Sequence, residues 1–383
     1  MPSLSNSLAM DRNIYSPAIT KQLNLHSIRS QANIRPTLLA MMRTLAIVVL
    51  IALLGETTAV FSQTYSMYVA NESDDTVMLI QFDSKELSIL ETVTVGTIHT
   101  EIEGPHGLAV DLDGKHWFVS IAHGQPFGKV VRYSTTDNRP TGTVTLGMFP
   151  ASMAVSSQTG LLYVANFNLH GNPEPSSISV VDPDAMLEVG RITTGIMPHG
   201  SAFGPDGRRH YSVAMMNSAL FELDALNLNV IRDIPLGQGA KPTWVSIHPD
   251  EPLAYVAANG ANQILIVDTE AGRITARLNA PGAPYNLAVS SDGKTLVATL
   301  KGAQAVSIFD LSTGTERARV PSSQPVTHGV IIAPDNQYAF VTSEGIGATP
   351  GAVDVINLTT AARIASLQAG QQTGEIAFWK MND

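Results

Sequence analysis

The sequence predicts an all-β fold, a seven-bladed β-propeller with four antiparallel strands per blade, its ring closed by a C-terminal strand that completes the first blade. Three observations predict it. A short opening turn recurs seven times at near-constant spacing. An aromatic-Val-Ala strand recurs at a fixed distance behind that turn. The first repeat lacks an innermost strand, and the chain ends with one to spare.

The opening turn reads Pro105-His106-Gly107, Pro150-Ala151-Ser152, Pro198-His199-Gly200, Pro242-Thr243-Trp244, Pro284-Tyr285-Asn286, Thr327-His328-Gly329 and Thr373-Gly374-Glu375. The intervals are 45, 48, 44, 42, 43 and 46 residues, which suits one propeller blade each. The second strand appears as Tyr68-Val69-Ala70-Asn71, Phe118-Val119-Ser120, Tyr163-Val164-Ala165-Asn166, Tyr211-Ser212-Val213-Ala214, Tyr255-Val256-Ala257-Ala258, Leu296-Val297-Ala298-Thr299 and Phe340-Val341-Thr342. Asp-Gly turns at Asp113-Gly114, Asp206-Gly207 and Asp292-Gly293 separate the first two strands. The third strands end at Asp83, Ser134, Asp182, Asp224, Asp268, Asp310 and Asn357, which read as turn formers. The strands alternate or run apolar, so the sheets are packed on both faces. A β-solenoid is the alternative, but its rungs are shorter, and only a closed ring hides every sheet edge. The spare strand Glu375-Ile376-Ala377-Phe378-Trp379 is expected in the empty innermost slot of blade one.

Upstream, Arg43 precedes the apolar run Leu45–Leu54, and a small-residue stretch ends at Ser62. That order predicts a signal peptide over 42–62 and a periplasmic or secreted protein. The run is short for a bilayer span, and an uncleaved anchor is the competing reading. Residues 1–41 lack periodicity and read as an untranslated or disordered extension, with translation starting at Met41 or Met42. The propeller is expected over 63–383.

The chain has no cysteine, which excludes disulfides, thiolate metal sites, covalent c-type haem and cysteine nucleophiles. Its net charge is −10; residues 1–62 hold five basic and two acidic side chains, so the body beyond them stands at −13. Such a surface repels phosphate backbones, which argues against nucleic acid as a partner. No Gly-x-Ser-x-Gly elbow, P-loop or His-Glu-x-x-His segment is present.

The Tyr-Val-Ala-Asn strands and Pro-Asp-Gly-like turns resemble the YVTN family of β-propellers, over about residues 63–383. That family is related to the cytochrome d1 haem domain and nitrous oxide reductase propellers. The resemblance implies the fold and an exported protein; many family members have no known reaction. Cytochrome d1-like redox chemistry is one implied activity, with lyase or lactonase chemistry as others. The second copper centre of nitrous oxide reductase needs cysteines that this chain lacks.

In a propeller the opening turns and the loops after the second strands share one face, here called the top. His106, His199 and His328 occupy one equivalent position in blades two, four and seven, as near threefold as a seven-membered ring allows. Three imidazoles converging on the channel suit a transition metal such as copper, iron or zinc, with an open position for a small molecule. His123, His170 and Glu344 follow second strands and are expected as acid–base or supporting groups, and His99 enters blade two from above. His116, His210 and His248 fall at bottom turns. Met215-Met216 reads as packing, with thioether ligation of copper as the other reading. The long segments 124–127, 167–175 and 345–351 extend the top over the histidine blades. The alternatives to a metal are a polar ligand pocket, a structural ring of histidines wetted by channel water, and a non-enzymatic scaffold for a small-molecule ligand or an envelope protein partner. The protein is expected to be a monomer.

Overall fold

The computed structural model describes residues 63–98, 100–124 and 126–382. The expected extension, the signal segment, His99 and Gln125 lie outside the described residues.

Seven four-stranded antiparallel sheets follow one another around a ring. In blades two to seven the strands run in chain order from the channel outward, beginning at Pro105, Pro150, Pro198, Pro242, Pro284 and Val326. Neighbouring innermost strands touch all the way round, and the strand Thr373–Asn382 touches Pro105–Val110 to close the circle. Besides strands, the described residues contain two single-turn 3₁₀ segments, Glu72–Asp74 and Asn259–Ala261.

The latch is longer than the five residues expected. Thr64–Asn71 pairs antiparallel with Thr373–Asn382, with Met67 opposite Phe378 and Val69 opposite Ile376. The Asn71 side chain seals the join: its Oδ1 accepts from Gly370 N and from Thr373 Oγ1, both at 3.0 Å. Trp379 Nε1 donates to Gly114 O at 2.9 Å, tying the latch to blade two.

Apolar faces of adjacent blades pack in clusters that span each seam. Tyr65, Phe82, Tyr338 and Phe340 join blades seven and one. Tyr68 and Tyr133 stack on either side of Trp117, at centroid separations of 4.8 and 4.2 Å, to join blades one and two. Such aromatic pairs add roughly 0.5–1.5 kcal/mol each beyond their buried area. Asn138 Oδ1 accepts from both Tyr68 OH and Trp117 Nε1. Arginines staple the bottom rim. Arg132 donates to Pro183 O and Asp184 O, Arg232 to Thr269 O and Glu270 O, and Arg317 to Leu358 O, each in the next blade.

Candidate functional site at the top mouth

The opening turns are held in one conformation by repeated devices. The residue before each turn is left-handed in six blades: Gly104, Phe149, Met197, Lys241, Ala283 and Gln372 have φ between 44° and 68°. A hydroxyl on the second strand then clamps the turn to its neighbour. Thr299 Oγ1 accepts from Asn286 N at 2.9 Å and donates to His328 O at 2.7 Å. Ser120 bridges Gly107 N and Ala151 O, and Thr342 bridges Gly329 N and Gly374 O, in the same way. The glycine after each histidine permits this approach. A Cβ on Gly107 would lie 1.9 Å from Ala151 O, and one on Gly200 2.5 Å from Trp244 Cα. The His-Gly pair therefore sets imidazoles on the tightest ring of the molecule.

The three histidines meet there. The His106 ring centroid lies 5.9 Å from His199 and 6.3 Å from His328, each pair edge to face. His199 and His328 are buried. Burial, then the nearby His106, pushes the His199 pKa down to about 3. Burial and the Lys301 charge hold His328 well below the ordinary histidine value. Both are neutral imidazoles at neutral pH.

Glu72 organises one side of the mouth. Its Oε2 accepts from His106 Nδ1 at 2.8 Å and its Oε1 from His123 Nε2 at 2.7 Å. Burial alone would raise this carboxyl, but the two imidazoles outweigh it and hold Glu72 far below the carboxylate range. His170 Nε2 stands 3.2 Å from His123 Nδ1, extending the chain to an exposed loop. Since a carboxylate only accepts, His106 carries a proton on Nδ1.

The opposite side is built from blades five to seven. His199 Nδ1 donates to Thr243 O at 2.9 Å, so its Nε2 accepts from Tyr285 OH at 3.3 Å. Tyr285 meets the His328 ring at a tilt, centroids 4.7 Å apart, and is capped by Lys301 Nζ, 4.3 Å from the ring centroid. Burial drives the Tyr285 hydroxyl above its ordinary pKa. Lys301 pairs with Glu344 at 2.9 Å, and the same Glu344 Oε1 lies 3.8 Å from His328 Nε2. His328 Nδ1 is buried without a partner. Glu375, on the innermost strand Thr373–Asn382, is partly accessible to water, and burial raises its carboxyl to about 8 against a hydrogen bond from the Ile376 backbone.

Blades three and four supply an apolar wall. Phe149 touches the rings of His106, His123 and His170 at 5.0–5.4 Å. Phe167 lies 4.8 Å from His199, and Met148, Met197 and Met215 pack around these phenyl rings. Met215 therefore serves as packing here. Beside His123 a cavity of about 520 Å³ opens between Ile98, Glu103, Phe127 and Lys129. A cavity of about 600 Å³ lies on the bottom around Arg209, Glu222 and Arg232, far from this chemistry and with its buried charge already paired.

All six expected site residues thus fall at the mouth, in two groups. His106 and His123 are linked through Glu72, with His170 joined to His123, and His199, His328 and Glu344 surround Tyr285 and Lys301. As they stand, no three or more His, Asp or Glu among the described residues are arranged to hold a metal ion. The reason is visible in the nitrogens. His106 Nδ1 and both nitrogens of His199 are engaged elsewhere, which leaves His106 Nε2 and the His328 ring nitrogens. Glu72, Tyr285, Lys301 and Phe149 went unnoticed in the sequence. A signal existed for two of them: Glu72 follows its second strand as Glu344 does, and Lys301 as His123 does. His116, His210 and His248 lie at the bottom, two of them bonded to Asp111 and Gly293 O.

The fold and this mouth define a seven-bladed β-propeller. No family model matches the chain. It is 26% identical over 162 residues to the seven-bladed beta-propeller protein Rv1057 of Mycobacterium tuberculosis, a match covering 41% of this chain and 40% of that relative. Among solved structures it is similar to hydrazine synthase of Kuenenia stuttgartiensis, with TM-score 0.58, 21% identity and 70% and 80% of the two chains covered. A 6-phosphogluconolactonase-like structure from Bacteroides fragilis superposes with TM-score 0.67 at 15% identity, covering 86% of this chain and 100% of its own. These likenesses concern the fold. No helix among the described residues is long and apolar enough to cross a membrane.

Proposed function

We propose that this is an exported propeller whose top mouth binds a transition-metal ion, copper, iron or zinc, through His106, His199 and His328, and acts there on a small molecule. One observation carries the reading. His106 and His199 each commit Nδ1–H to an acceptor, Glu72 and the Thr243 carbonyl, and present Nε2 toward the same mouth. Metal-binding histidines are oriented in this manner. His328 adds a third neutral ring whose Nδ1 has no partner. The donor set therefore suits the ion, provided Tyr285 OH gives up its long 3.3 Å bond to His199. A bound copper or iron would supply one-electron chemistry, and zinc a Lewis acid. The chain's own part is to hold His199 and His328 neutral, to screen the imidazoles behind Phe149 and Phe167, and to keep His123, His170 and Glu344 as acid–base groups at the rim. Export rests on the segment 42–62.

Elemental analysis with an ultraviolet–visible spectrum of purified protein tests the reading. Stoichiometric metal, lost in a folded His106→Ala variant, supports it. Metal-free protein that also fails to take up copper, iron or zinc overturns it. A second reading, a scaffold for an envelope protein partner, draws on the apolar rim. Ile98, Ile102, Phe127, Leu169, Met216 and Ile346 are all exposed on top loops.

A further inference from the structure

On the bottom, blade four breaks the pattern of the repeat. At one level of each sheet the third strand is apolar in blades one, three, five, six and seven. Leu79, Val180, Ile266, Ile308 and Val355 stand there, opposite Tyr68, Tyr163, Tyr255, Val297 and Phe340. Blade four sets Glu222 opposite Tyr211 instead, and Glu222 is only 4% exposed. The fourth strand is small at this level in blades three, five, six and seven, with Gly190, Ala276, Ala318 and Ala365, whereas blade four carries Arg232. Blade two has Arg132 at the third-strand position, with its donors spent on Pro183 O and Asp184 O. A charge placed in a seam that is otherwise apolar costs free energy, and function is to be sought where one unit departs from a consistent pattern in this way.

Arg232 accounts for Glu222, since its Nε donates to Glu222 Oε2 at 2.6 Å. A second arginine is left over. Arg209 Nε stands 3.7 Å from Glu222 Oε1, beyond hydrogen-bond reach, and the Arg209 guanidinium donates no hydrogen bond among the described residues. This side chain is 37% exposed and lines the bottom cavity of about 600 Å³. Two guanidinium groups thus face one carboxylate, so the floor of the cavity carries surplus positive charge and an unused planar fork of donors. Such a fork matches a carboxylate in bidentate fashion. The rim has the opposite sign: Asp206, Asp250, Glu251 and Glu270 are exposed around it on three connections. The carboxylates of Asp250, Glu251 and Glu270 have no hydrogen-bond or ion-pair partner among the described residues. They repel a simple anion at the entrance and favour a positive group there.

We infer that this cavity between blades four and five binds a small zwitterion of the amino-acid class, its carboxylate on the Arg209 guanidinium and its ammonium group toward the rim carboxylates. The volume is in the range of small-molecule sites and leaves room for a substituent along Ile247 and Pro252. The site lies on the face away from the histidine mouth and stands independently of the metal reading.

The test titrates the full chain, stripped of metal by chelation and at low ionic strength, with ¹³C-glycine, ¹³C-acetate and ¹³C-methylammonium, followed by NMR. Glycine is expected to bind saturably. Acetate, repelled at the rim, and methylammonium, repelled at the floor, should each bind at least about tenfold more weakly, the loss of one charge-assisted partner. Arg209→Gln is expected to abolish glycine binding and to fold, because Glu222 keeps Arg232. Arg209→Lys keeps the charge beside Glu222 but not the fork; it is expected to weaken glycine binding several-fold and serves if Arg209→Gln unfolds. Asp250→Asn combined with Glu251→Gln should weaken glycine binding and tighten acetate binding. Absence of saturable glycine binding, acetate bound as tightly as glycine, or unchanged glycine binding in a folded Arg209 variant would each overturn the site.

Discussion

His210 offers a measurement free of any assumption about ligand. It lies on the strand Arg209–Ala214, fully buried between the rings of Tyr163 and Phe203 at 5.0 and 4.6 Å. Neither ring nitrogen has a partner. Burial pushes its pKa down from 6.5 to about 3. The unfolded chain therefore binds one more proton than the folded chain between those values. Stability is unaffected by this group above pH 6.5 and is lost as pH falls below it. At pH 5, some 1.5 units lower, the loss is about 2 kcal/mol, from about 1.36 kcal/mol per unit. His210→Leu removes both the protonation penalty and the two orphaned nitrogens. The change at pH 8 combines regained desolvation with altered packing, and its sign is not needed. Its difference between pH 5 and pH 8 isolates the proton: the variant should gain about 2 kcal/mol more, relative to the natural chain, at pH 5. His199 and His328 are present in both proteins and cancel. Urea unfolding at the two pH values, with midpoints converted through the m-value, provides the comparison. Equal differences at both pH values would refute the reasoning.

The remaining predictions concern the ring and the mouth. Deleting residues 372–383 removes the innermost strand of blade one and the Asn71 seal, and calorimetry should show no cooperative unfolding transition; a truncated chain that melts like the parent would contradict the latch. Glu72→Gln keeps the side chain's shape but no longer fixes the His106 proton, so metal affinity measured by chelator competition should fall by roughly 10–100-fold, and an unchanged affinity would remove Glu72 from the site. Arg232→Ala breaks the 2.6 Å pair with buried Glu222 and the staple to blade five. It should cost about 2 kcal/mol in urea unfolding, less than the roughly 3–5 kcal/mol of a fully buried pair, because Arg232 is partly exposed and Arg209 remains near Glu222; a loss below about 0.5 kcal/mol would show the staple to be idle.

The seven-fold ring was legible because a propeller writes its period into the chain. Each blade needs the same turn, the same buried strand and the same exit, so the repeat survives even where residues differ. The complementary ends predicted the latch for the same reason, although its length, Thr373–Asn382, exceeds the apolar core of the spare strand, since backbone pairing continues past the residues that bury well. The equivalence of His106, His199 and His328 was also a property of the repeat, and it placed them on one ring before any coordinates. Register alone, however, says which residues share a tier and not how wide the channel is or which nitrogen faces which neighbour. Those depend on inner strands brought close by Gly107, Gly200 and Gly329, and on contacts between residues far apart in the chain. Glu72 reaches His106 across 34 positions, and Tyr285 reaches His199 across 86. Packing between blades around the ring creates such neighbours, so the hydrogen-bond partners of the histidines were decided by the tertiary structure.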